Sequence, residues 1–411
     1  TSSSRAERCR AKSPRMRSRR RVPSASAPRS RDLAARKNRA ASLPDRVAAG
    51  MRDEPSLQRP ADLPAPAFSV PSWIRPVVVH HGRHPIAGGW AAFDQIDLVQ
   101  RDETGAYAAT RMDPDQLFRM AGDRNAAAAA FDLITAPRAP FAGLEMDRPR
   151  IMGILNVTPD SFSDGGRHNA PARAVAAGRE MIAAGATIID IGGESTRPGA
   201  EPVTRNQELA RVLPPIAGLK LEDAVISIDT RHGEVMSRAT AAGAGIINDV
   251  GGLRCYGALD AAAAAHVPAI IMHMQGTPET MQNDPEYGFA PVEIMEFLSA
   301  RIEAAVAAGI PRAMIAVDPG FGFGKTVAHN LQLMNWAAML HGLGVPVLIG
   351  ASRKSSIAKI SAGEDADHRL AGSLVLAMKG VEQGCQLLRV HDVAETRQAL
   401  SVAMALGGGV D

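Results

Sequence analysis

A chain of 411 residues with 45% hydrophobic content can bury a large core, and its length admits two or three domains or one α/β barrel with extensions. No apolar run approaches the roughly 18 residues of a spanning helix, so a soluble chain with no membrane partner is expected. The three cysteines, Cys9, Cys255 and Cys385, are scattered and odd in number, which excludes a disulfide framework or zinc site and fits a reducing, cytoplasmic setting.

Aromatic residues make up only 4% of the chain while Ala and Gly abound, a composition suited to tight helix-on-sheet packing. The net charge of +3 is unevenly spread. Residues 1–70 contain "RAKSPRMRSRRRVPSASAPRSR", rich in Arg, Ser and Pro and without apolar periodicity, and disorder is expected there. Such a stretch reads as a nucleic-acid tail, an organellar transit peptide or a segment with no function of its own. The last is preferred, because basic low-complexity termini arise readily by chance, and no nucleic-acid partner is expected.

Residues 71–149 carry short apolar segments, "WIRPVVVHH" and "FDQIDLVQ", and one helix-like run, "PDQLFRMAGDRNAAAAAFDLI". They read as a small α+β extension that ends in a Pro-punctuated linker, "TAPRAPFAGLEMDRPR".

From residue 150 to 411 the pattern repeats. Eight apolar runs alternate with amphipathic stretches: "IMGILN", "TIIDIGG", "AVISIDT", "AGIINDV", "PAIIMHM", "MIAVDPG", "VPVLIGAS" and "QLLRVHD". Continuous apolar strands separated by helices predict a parallel sheet covered on both faces, and eight such units match a (β/α)8 TIM barrel, with an open doubly wound sheet as the weaker alternative. In a barrel the chemistry collects just after each strand. Asn156, Asp190, Asp229, Asn248, His273, Asp318, Ser352 and His391 all stand there.

With "MGILNVTPDSFSDGG", "GATIIDIGGESTRPGA", "SIDT", "GAGIINDVGG", "MHMQGTPETMQ", "DPGFGFGKT", "GASRKS" and "LRVHDV" in order, the chain resembles the dihydropteroate synthase family, the sulfonamide-targeted enzymes of folate biosynthesis. The resemblance covers Met152 to about Ala405. It implies a reaction that joins 4-aminobenzoate to 6-hydroxymethyl-7,8-dihydropterin diphosphate, giving 7,8-dihydropteroate and diphosphate.

By that resemblance Asp318, Asn248 and Asp229 read the polar edge of the pterin, Lys354 donates toward its carbonyl and ring nitrogen, and Gly322, Phe323 and Lys325 line the pocket. Arg389 and His391 serve the diphosphate, and Asn156 contributes one ligand to a Mg2+. Phe162, Thr196, Arg197 and Pro198, on two mobile loops, meet the aminobenzoate ring, and Ser352 receives its carboxylate. Asp229, Lys354, Arg389 and His391 are the expected catalytic set, and a homodimer is the expected assembly.

"PGFGFGKT" ends like a phosphate-binding loop, but Pro319 stands where that motif requires Gly, so ATP is not expected. Three rival readings remain: a corrinoid-linked methyltransferase on the related barrel, a non-catalytic pterin-binding protein, and a fusion with a pterin kinase. "GASRKS" and the two opening loops favour the synthase over the first, and the retained Lys and Arg residues favour it over the second. The region before the barrel is too short for the third.

Overall fold

The structure is a computed structural model that describes residues 56–58, 72–158, 170–195 and 203–407. Most of the segment expected to be disordered lies outside the described residues. Its residues Ser56–Gln58 form a short strand, β1, contrary to that expectation. Strand β1 pairs in parallel with β5, Tyr107–Met112, whose edge offers backbone donors and acceptors that need a partner.

The extension is an α+β layer. Strands β2 (Ser72–Val79), β4 (Ala92–Arg101) and β5 run antiparallel to one another, with β3 (His84–Pro85) on β4. The single helix-like run of the sequence is two helices, Pro114–Met120 and Arg124–Thr135. Asp123 divides them: it takes an extended backbone conformation and its carboxylate caps the N–H groups of Asn125 and Ala126. The inner face of this layer, with Phe93, Ile96, Leu98, Leu117 and Ile134, packs against Ala338 on the barrel side. Polar anchors hold it there: Arg75 lies 4.2 Å over the Trp336 ring and donates to the Asn335 carbonyl, and Trp90 Nε1 donates to the Val381 carbonyl at 2.8 Å.

Eight parallel strands form the main sheet: β6 (Arg150–Asn156), β7 (Ile188–Gly192), β8 (Val225–Asp229), β9 (Ile246–Asp249), β10 (Ala269–Met272), β11 (Ile315–Asp318), β12 (Leu348–Ile349) and β13 (Leu387–Val390). Strand β13 pairs with β6, and the ring closes where Val317 bridges Val347 and donates its N–H to Pro346 O at 2.9 Å. This is the (β/α)8 barrel. Within each strand the side chains alternate. On β6, Ile151 and Leu155 face the helices, while Met152 faces inward.

The floor of the barrel corrects the reading of residues 136–149 as a simple linker. Phe141 and Met146, both essentially without solvent exposure, pack with Met152, Ile188, Ile246, Ile270, Leu348 and Leu387 at the N-terminal ends of the strands. A two-residue turn at Ala142 and Gly143, both with positive φ, folds the segment back so that Phe141 and Leu144 exchange backbone hydrogen bonds.

Candidate active site

Asparagine 156 ends β6 and Asp229 ends β8. A Cβ placed on Gly192 between them would lie 3.6 Å from each side-chain oxygen, so the two side chains flank one point. Asn248 and Asp318, on β9 and β11, are almost fully buried. On β13, Arg389 reaches across the mouth, with Nε donating to Asp190 at 2.6 Å and Nη2 to Asp229 at 2.7 Å. Asp190 Oδ2 also accepts from Asn248 Nδ2 at 3.0 Å, while its Oδ1 has no partner among the described residues.

Asp190 is the residue the sequence reading passed over. It stood among eight strand-end polar groups, yet it joins Arg389 to Asn248 from a fully buried position. No local signal distinguishes it from Asp229.

Charge in this cluster is finely placed. Burial pushes the Asp229 carboxyl up to about 7, opposed by the Arg389 guanidinium and reinforced by Asp190. Asp318 is likewise raised by burial, against the pull of the Gly320 N–H, Lys354 and Arg389. Arg389 itself is held charged, because the attraction of Asp190 and Asp229 outweighs its burial.

His391 is different: burial and the neighbouring Arg389 and Arg353 push it down to about 3, so it is neutral at physiological pH. Its Nδ1 lies 3.0 Å from Ser352 Oγ, and its backbone N–H also donates to that hydroxyl. Ser352 is therefore inward-facing, 7% exposed, and engaged with His391.

Two further loops complete the mouth. Lys354 places its Nζ 3.9 Å from the centroid of the Phe323 ring, a cation–π contact, and its stem covers Gly322. Arg353 positions this loop: it forms a two-bond pair with Asp392 and a third bond with Asp367. Lys325 does not line the mouth; its Nζ is buried and bonded to Gly320 O, Phe323 O and His273 Nδ1. In a phosphate-binding loop the Lys reaches the bound phosphates, whereas here the ammonium is turned onto its own loop.

Phe162, Thr196, Arg197 and Pro198 lie outside the described residues. The others, Asn156, Asp229, Asn248, Asp318, Gly322, Phe323, Ser352, Lys354, Arg389 and His391, sit on strand ends or the loops that follow them. Among the described residues, no three His, Cys, Asp or Glu side chains cluster to hold a metal ion, and Cys255 and Cys385 are free thiols. No helix among them is long and apolar enough to cross a membrane.

The fold and site define a (β/α)8-barrel protein whose buried carboxylate, amide and guanidinium groups gather at the C-terminal ends of the strands, where such barrels carry their active sites. A family model described as pterin binding enzyme matches residues 152–391, more than half of the chain, and the chain belongs to that family. Within it the chain is 46% identical over 268 residues to the dihydropteroate synthase of Escherichia coli K12, covering 65% of this chain and 95% of the relative.

Solved structures agree. The Xanthomonas albilineans dihydropteroate synthase with 4-aminobenzoic acid is 49% identical with a TM-score of 0.62, covering 66% of this chain and 97% of that one. The same enzyme in complex with 7,8-dihydropteroate is 46% identical with a TM-score of 0.59, covering 65% and 97%.

Proposed function

We propose that the chain is a transferase that joins 6-hydroxymethyl-7,8-dihydropterin diphosphate to 4-aminobenzoate, releasing 7,8-dihydropteroate and diphosphate. The observation that carries this reading is the Asp190–Arg389–Asp229 cluster with Asn248 and Asp318 beside it. It offers buried acceptors to the N–H edge of a pterin, and a heterocycle without that edge would leave them unpaired.

Asp318 accepts from the 2-amino and ring N–H groups, and Asn248 and Asp229 read the rest of the edge. Lys354 donates to the carbonyl and ring nitrogen, while Gly322 and Phe323 wall the ring. Arg389 spends two of its five N–H groups on Asp190 and Asp229 and has others to direct at the diphosphate. The neutral His391 offers one N–H donor, and an approaching anion would draw a proton onto it.

As the C–O bond breaks, positive charge spreads from the methylene carbon into the pterin, and the carboxylate of Asp229 stabilises it. The diphosphate leaves with the bonding electron pair, the unprotonated aromatic amine then attacks the methylene carbon without a strong base, and the proton it sheds passes to the released diphosphate or to water. Phe162, Thr196, Arg197 and Pro198 are assigned to the aminobenzoate ring by the family resemblance, and Ser352 to its carboxylate.

Asn156 supplies one hard, neutral oxygen beside Asp229, a donor set suited to a Mg2+ held mainly by water and diphosphate oxygens. Such an ion would neutralise charge on the leaving diphosphate. A cytoplasmic homodimer fits the exposed Val375, Val402 and Leu406 on the last two helices.

The test is a coupled assay with both substrates and Mg2+, each omitted in turn, that measures diphosphate and dihydropteroate separately. Equal yields of the two products are expected. Pterin binding without turnover would leave a non-catalytic relative, and no binding at all would reject the reading.

A further inference from the structure

The turn from Gly320 to Lys325 carries three glycines with positive φ, at 320, 322 and 324. Side chains meet four of its carbonyls. Gln282 Nε2 donates to Gly322 O at 2.9 Å and Tyr287 Oη to Gly324 O at 2.8 Å. The remaining two, Gly320 O and Phe323 O, converge on one atom, the Nζ of Lys325, at 3.0 and 2.9 Å. A third bond at 2.9 Å joins that Nζ to His273 Nδ1, and Lys325 is only 3% exposed.

We propose that Lys325 is a positioning residue of the pterin subsite, an internal cation around which its own loop folds, and that it acts on the substrate through Phe323. The chain of contact is short. Lys325 holds the Phe323 carbonyl, the Phe323 ring supports the Lys354 ammonium at 3.9 Å, and Lys354 packs across Gly322. The inference rests on the pterin reading of the mouth.

His273 makes the arrangement tolerant of proton loss. A charged Lys325 donates to two carbonyls and to an Nδ1 lone pair; a neutral one keeps both carbonyls and accepts from Nδ1–H of the other tautomer. Burial and Lys325 keep His273 unprotonated, and burial lowers Lys325 to about 7. The groups that face this pair are Asp318, Lys354 and Arg254, and Asp318 favours the charged lysine. A donor and an acceptor are therefore available for each of the three contacts in either state.

The experiment is steady-state kinetics on the full chain for wild type, Lys325→Met, Phe323→Ala and the double variant. A displaced recognition loop raises the KM for the pterin diphosphate by about tenfold or more, since an ångström of misplacement costs up to about 100-fold. The KM for 4-aminobenzoate is expected to change less than about twofold. The double variant is expected to be no worse than the poorer single, because both act through one ring.

Tyr287→Phe, which loosens the same turn at Gly324 without burying an unpaired charge, provides the same reading if Lys325→Met does not fold; a pterin-selective rise of about threefold is expected, also absorbed by Phe323→Ala. Multiplying effects, an unchanged pterin KM, or equal changes in both KM values would overturn the inference while leaving the synthase reading intact. A wild-type chain that forms no dihydropteroate would overturn both.

Discussion

Arg389 donates from Nε to Asp190 Oδ2 at 2.6 Å, across 199 residues of chain, and Asp190 is fully buried. The pair fixes the guanidinium at the centre of the mouth and sets its remaining donors toward the site. Removing one partner of such a pair leaves the other buried and uncompensated. Asp190→Asn is expected to cost roughly 3–5 kcal/mol of stability. It is also expected to lower kcat/KM by about 100-fold through a misdirected guanidinium. Urea unfolding and steady-state kinetics measure the two losses, and an unchanged unfolding midpoint would show that Asp190 does not hold Arg389.

Lys354 is half-buried and lies over Phe323 at the rim, where its removal leaves no hole in the core. Lys354→Ala should keep the thermal midpoint within about 3 °C of wild type. Turnover should fall by about 100-fold or more, as expected for loss of a charged donor to the reacting ring. Turnover retained within threefold, on the order of a rim contact's worth, would remove Lys354 from the catalytic set.

Glu208 lies in the first turn of the helix Arg205–Leu219, fully buried beneath Gly193, and neither of its carboxyl oxygens has a partner among the described residues. Burial pushes it up to about 7, reinforced by the charge of Glu194 and opposed by those of Arg231 and Arg211. Because the folded value is raised, its stabilising contribution is complete below the unfolded carboxylate value and is lost as pH rises through about 7. Glu208→Gln abolishes that dependence, so its stability relative to wild type should improve from pH 5 to pH 8 by about 1–3 kcal/mol. Paired denaturation curves at the two pH values decide it; a difference that is flat or runs the other way contradicts the assignment.

Gly320 has a φ of +70°, and a Cβ there would stand 1.9 Å from the His273 carbonyl oxygen. Gly309 also has a positive φ, +100°, but open space around it. Gly309→Ala should cost only about 1 kcal/mol, the backbone penalty alone. Gly320→Ala should cost more than about 3 kcal/mol or prevent soluble expression, since backbone must move. Equal losses at the two positions, read from thermal melts, would mean that the close approach is absent.

Phe141 fills the barrel floor with no solvent exposure. Phe141→Ala should destabilise the whole barrel by about 3–5 kcal/mol, a core-sized loss. A linker residue would cost less than about 0.5 kcal/mol on substitution. Calorimetry separates these outcomes.

The barrel and the positions around its mouth were legible in the sequence because both signals are local. Each buried parallel strand is an apolar run, and its chemistry-bearing residue follows directly, as with "SID" at Asp229 and "AVD" at Asp318. The motif order then identified the family. Pairing was not legible. Asp190 and Asp229 look alike along the chain, and only the stagger and closure of the sheet decide that Arg389 bridges them while Asn248 joins Asp190. Composition likewise made a linker of "APRAPFAGLEM", since Pro and Gly mark irregular backbone without saying what Phe141 and Met146 touch. Lys325 shows the limit most plainly. Its spacing resembles a phosphate loop, but three left-handed glycines turn the carbonyls of its own loop onto it, and a buried ammonium goes where acceptors replace its lost water.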